Sequence, residues 1–355
     1  LLSTVHERPG VYSSYDASAV LNGGAAIRII GLAASATKGT ANEAVTLTSY
    51  AAGLAAFGED AEGSAGMSTL LRLLFAGGAS TVVAAAVEEK TVSGYTAAFE
   101  ALAQQENIQI VVCDSADAEV HQALRQSVDS TSQNRRERIA VVGGSGESAA
   151  QLKAHAAQIN SERVVLVGPD ALDESGKTLP GTCSAAAVAA AIAVNRDPAV
   201  PLNGVKLYGL GGVSQRYSDN DIDLLVQGGV MPLEEVAGVI SPVRGITTRT
   251  TTGGAADSTW RELTTILIVD NVIPAIRNSL RSKFTRTKNT AQTRGAIRSQ
   301  VVVDLESKVK AEIIDSYGEV SVSVSEENPT VCLVEFSFAV AHGLNQIYLT
   351  AHITV

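Results

Sequence analysis

No apolar run in the 355 residues reaches the length of about 18 that a membrane-crossing helix needs, so direct membrane insertion is not expected. Cysteine is scarce: Cys113, Cys183 and Cys332 lie far apart, with no C-x-x-C spacing to build a metal cluster. They read as buried free thiols and point to assembly in a reducing compartment. Aromatic residues make up only 4% of the chain, which leaves few platforms on which nucleic-acid bases could stack. A net charge of −10 argues against nucleic acid as the main ligand in the same direction. The phosphate-binding pattern G-x-x-x-x-G-K-[ST] does not occur, and no two of the five histidines stand four residues apart as a helical zinc pair would. Residues 1–24 lack the apolar core of a secretory signal. Because the chain starts at Leu1 rather than at methionine, a few residues are expected to precede it.

Against these absences stands an abundance of small apolar residues. Hydrophobic residues make up 45% and charged ones 18%, with a mean hydropathy of +0.15. That is rich for a fully wetted surface and leaves room for buried contacts between subunits. The length exceeds one typical core, so two domains are expected. Short apolar runs at residues 26–32, 81–87, 108–113, 138–142 and 163–167 read as buried strands. Amphipathic patterns at 47–57, 67–76, 93–105, 117–131 and 147–160 read as helices between them. Strand–helix alternation with buried strands implies an α/β fold built on a doubly wound parallel sheet. An Ala-rich helix at 184–195 closes this unit, giving an α/β domain over residues 24–195.

Residues 1–23 read as an extended arm, since Pro9 biases the residue before it to extended geometry and Gly10 permits a turn. After a Gly-rich link, residues 196–355 read as an α+β domain. A helix at 219–227 is followed by a strand pair near Met231, a long helix at 263–284 that Pro274 should kink or split, and a helix at about 292–317. Three strands end the chain, at 319–325, 330–341 and 346–355, the last two forming a hairpin about His342–Asn345.

Two features invite a functional reading. Gly144, Gly146 and Ala149 satisfy G-x-G-x-x-A between a strand and a helix, where unpaired N–H groups can hold a pyrophosphate. Glu147, however, places a carboxylate in that first turn, and a tight strand–helix turn explains the glycines without a ligand. No catalytic, cofactor-binding or metal constellation emerges. The second feature is an inversion of charge: from Asn271 to Val303 there is no acidic residue, but there are seven basic ones, Arg277, Arg281, Lys283, Arg286, Lys288, Arg294 and Arg298. A solvated helix face would explain them; so would contact with an acidic partner.

Several segments carry a resemblance. RPGVY at Arg8–Tyr12, MPLEEVAGVISPVRGITTRTTT from Met231, TWRELTTILIVDNVIPAIRNSL from Thr259, and the last strand are similar to contractile tail sheath proteins of phages and phage-tail-like bacteriocins. The likeness covers both ends and, more loosely, residues 25–190. It implies a structural subunit and no enzyme: rings of six stacked around an inner tail tube, with baseplate and terminator proteins at the ends. The particle would assemble in the bacterial host cytoplasm and contract by a switch in subunit packing. It further implies that the arm completes the inner 196–355 domain while the 24–195 domain lies outward. Arg8, Pro9, Gly10, Val11 and Tyr12, with Ile347, Leu349, Ile353 and Val355 of the last strand, would join the sheets of neighbouring subunits. Arg277, Arg281, Lys283, Arg286 and Lys288 would face the tube. Two other readings stay open: a nucleotide-binding α/β enzyme using the Gly144 turn, and a different self-assembling shell or filament protein.

Overall fold

The computed structural model describes residues 28–345. Its first half alternates β1 (Ile29–Ser35), β2 (Ala44–Leu47), α1 (Tyr50–Phe57), α2 (Met67–Ala76), β3 (Val82–Val87), α3 (Val92–Ala103), β4 (Ile108–Cys113), α4 (Ala118–Gln133), β5 (Ile139–Gly143), α5 (Ala149–Ile159) and β6 (Val164–Gly168). Two-residue strands β7 (Ala171–Leu172) and β8 (Thr178–Leu179) precede α6 (Gly181–Val194). The short β9 (Gly212–Val213) pairs back with β7, and α7 (Asp219–Gln227) leads to the hairpin β10 (Val230–Val236) and β11 (Val239–Pro242).

The main sheet has eight strands in the order β11-β10-β6-β5-β4-β1-β3-β2. Its inner strands, β10 to β3, pair in parallel, and β11 and β2 are antiparallel edges. The expected doubly wound α/β architecture is therefore present. The sheet does not stop near residue 195, however, because β10 pairs with β6 through Val230↔Leu166. Alternate residues serve opposite cores: Val82, Ala84 and Ala86 of β3 point to the side holding α2, α6 and α8. Val83, Ala85 and Val87 point to α3, α4, α5 and α7. Residues 181–193 of α6 are all buried, which explains the alanines: a helix wedged against the sheet on one side and α2 on the other must be thin all round.

Beyond the sheet, β12 (Thr251–Thr252) and β13 (Ala255–Ala256) form an exposed hairpin across Gly253–Gly254. The helices α8 (Leu263–Phe284) and α9 (Ala291–Lys310) pack together, followed by β14 (Ile314–Tyr317), β15 (Ser321–Val324), β16 (Cys332–Glu335) and β17 (Phe338–Val340). Four expectations need correction. Pro274 does not split α8, which runs unbroken through it. The last helix stops at Lys310 rather than 317, where Glu312 takes a left-handed φ of 55° and turns the chain into β14. Residues 330–341 form two strands with different partners, β16 on β15 and β17 on β14. The segment 47–57 is helical only from Tyr50, because Ala44–Leu47 joins the sheet edge beside β3.

Candidate functional site

The carboxyl ends of the parallel strands are where an open α/β sheet binds ligands, above all where strand order reverses, here between β1 and β4. Both candidate crevices are occupied by the protein's own groups. At the reversal, the fully buried Asp114 carboxylate accepts from Ser35 N–H (3.0 Å), Ser35 Oγ (2.6 Å) and Tyr95 Oη (2.6 Å), and Lys90 Nζ lies 3.2 Å away. At the Gly144 turn, a Cβ on Gly143 would stand 1.9 Å from the Gly181 carbonyl oxygen, so glycine is needed for the close approach of α6. The Gly146 N–H, which a phosphate would need, donates instead to Asp170 Oδ2 at 2.8 Å. The void left there is about 10 Å³, room for one water and not for a pyrophosphate. This geometry disfavours the nucleotide-binding reading of the turn.

The long helix α8 buries Ile266, Val269, Ile273, Ile276 and Leu280. Two charged residues share that inward face. Asp270 receives a two-pronged contact from Arg163 at 2.8 and 3.0 Å, and Arg277, two turns on, reaches Glu137 at 2.6 Å. Burial pushes the Asp270 carboxyl up even against the pull of Arg163. Arg277 therefore leaves the basic strip: it is 8% exposed and turned into its own subunit. Arg281, Lys283, Arg286 and Lys288 are all exposed, grouped where α8 turns into α9. Among the described residues none of these four is in an ion pair, although Lys283 Nζ donates to Gln300. Farther along, Arg294 donates to Asn289 at 3.0 Å, and Arg298 donates to the Val320 carbonyl at 2.8 Å. The structure thus brings four of the five proposed tube-facing residues to one helical-hairpin tip. The arm residues Arg8–Tyr12 and Ile347, Leu349, Ile353 and Val355 lie outside the described residues.

One cluster escaped the sequence. His121 on α4 and His155 on α5 stack with ring centroids 4.9 Å apart, and His155 meets Glu147 at 3.2 Å. Burial and the neighbouring His155 push the His121 imidazole down to about 4. The available signal was a histidine inside each apolar face: Val120, Leu124 and Val128 flank one, Leu152, Ala156 and Ile159 the other.

The phage tail sheath protein central domain matches residues 88–248, and the phage tail sheath C-terminal domain matches residues 255–354. The tail sheath protein of Bacillus phage SP01 is 29% identical over 255 residues, covering 70% of this chain. This chain spans less than half of that relative, 43% of its length. A chain of the anti-feeding prophage helical sheath in its contracted state superposes with a TM-score of 0.72 at 17% identity, covering 98% of this chain and 99% of that one. The sheath tail protein Lin1278 from Listeria innocua gives 0.72 at 14%, covering 92% and 94%. With both domain models falling on it in order and the same fold over nearly its whole length, the chain belongs to the phage tail sheath family.

Proposed function

We propose that the chain is a structural subunit of a contractile tail sheath, which polymerises around an inner tail tube and contracts by a switch in subunit packing. The observation that carries this reading is the match of both sheath-domain models in sequence order across residues 88–354. In the extended state the exposed group Arg281, Lys283, Arg286 and Lys288 meets an acidic tube surface. Exposed ion pairs are individually weak, which suits a contact that holds before firing and releases on sliding. The terminal segments, residues 1–16 and 346–355, add strands to neighbouring subunits. Main-chain hydrogen bonds then keep the lattice joined while each subunit moves. The 24–195 unit lies outward, rings of six stack along the tube, and baseplate and terminator proteins close the ends. Assembly takes place in the host cytoplasm. Energy is stored in the packing itself, so contraction consumes no nucleotide.

Negative-stain electron microscopy of the purified chain tests the reading: hollow cross-striated tubes of uniform width are expected. Deleting residues 1–16 should leave a folded chain that forms no tubes, and unchanged tubes would count against strand exchange. Monomers that carry a bound nucleotide would overturn the sheath assignment.

A further inference from the structure

The histidine pair is part of a chain of contacts whose hydrogens can be counted. His121 Nε2 lies 2.8 Å from the Ser115 carbonyl oxygen, His121 Nδ1 lies 3.0 Å from His155 Nε2, and His155 Nδ1 lies 3.2 Å from both Glu147 carboxylate oxygens. A carbonyl oxygen only accepts, so His121 Nε2 carries a hydrogen. Each of the other two contacts also needs one. Two neutral imidazoles bring two hydrogens between them, and the three contacts require three.

We propose that this chain of groups is a proton-binding site: one proton beyond the two of neutral imidazoles is held on the His155 ring, pairing it with Glu147 and clamping the β5–α5 turn to α4. A carboxylic acid is a stronger acid than an imidazolium, so in a contact between the two the proton belongs to the ring. His121 is completely buried, where a charge on the ring is costly, so it stays neutral and accepts from His155. The ionisable groups around the site favour retention of the proton. Asp117 at the start of α4 and Glu147 both act on His121, and Asp170 after β6 and Asp221 on α7 act with Glu147 on the adjacent Tyr217. The cation on α5 itself, Lys153, is exposed, with its stem against Gly228 at the end of α7. The buried part of β10, which also packs on α5, contributes only apolar side chains.

Without that proton the one hydrogen left on the His155 ring can serve either Glu147 or His121, and the other contact sets lone pair against lone pair. Either way one link of the chain is lost, and Glu147 at its end is the group that fills the space over Gly144, where an added Cβ would meet Glu147 Oε2 at 2.1 Å. The protonated site therefore adds to the approach of α6 and the Gly146–Asp170 hydrogen bond in holding this turn closed.

The test is nitrogen NMR of the full chain labelled with 15N-histidine. At pH 7 three of the four ring nitrogens of His121 and His155 should carry hydrogen, and only two in Glu147→Gln, whose amide can itself donate to His155 Nδ1. Two protonated nitrogens in the wild type would overturn the proposal without any variant having to fold.

Discussion

At the scale of single residues, the interface between α8 and the sheet is set by two crossed ion pairs. Asp270 and Arg277 lie on one helical face, and Arg163 and Glu137 on the sheet side carry the opposite charges in the same order. Replacing Asp270 by Ala leaves Arg163 buried without its carboxylate. Urea denaturation of the dispersed chain should show a loss of roughly 3–5 kcal/mol. Replacing both partners, Asp270→Leu with Arg163→Met, should cost much less, because the burial penalty of both charges disappears together. His121 supplies a pH dependence. Its folded value of about 4 lies below the usual 6.5, so the unfolded chain binds the proton more readily. The stability it contributes is full above pH 6.5 and is lost as the pH falls toward 4, by roughly 3 kcal/mol in all. The midpoint of urea unfolding should drop over that window, and less in His121→Asn. Arg138 and Arg163, each at the start of an expected buried strand, are 1% and 3% exposed. Their burial depends on carbonyls and carboxylates brought in from distant segments: Leu102 for Arg138, Asp270 for Arg163.

At the scale of elements, apolar periodicity located five of the six parallel strands and the helices between them to within a few residues, since each buries a face against one sheet. Failures came where a partner overrode the local pattern. Residues 44–47 became a strand because β3 offered an edge, and residues 330–341 broke in two because β14 and β15 each claimed a part. Glycines in elements separate into necessary and dispensable ones. In α9, Gly295 meets nothing within 4 Å, so Gly295→Ala should raise stability by about 0.5–1 kcal/mol in urea unfolding. Gly143→Ala should do the reverse, by about 3 kcal/mol or more, because the new methyl would overlap the Gly181 carbonyl.

At the scale of the whole molecule, a negative protein presents a small positive tip. Reversing Arg281, Lys283, Arg286 and Lys288 to Glu should abolish co-sedimentation with tail tubes while leaving sheath-only tubes intact. Raising ionic strength from about 0.1 to 1 M should weaken the wild-type contact, because the screening length falls from about 10 to 3 Å. Undiminished binding in high salt would point to an apolar tube contact instead. The sequence by itself determined the α/β class, the order of the main elements, the acid-free basic stretch and the resemblance that both domain models bear out. Each of these is local, carried by spacing and composition along the chain. Only the tertiary structure decided that Arg277 turns inward, that the Gly144 turn is filled by α6 and Glu147, and that two histidines 34 residues apart form one chain of contacts. Those outcomes depend on which faces meet across the sheet, and that is settled by packing between segments distant in sequence.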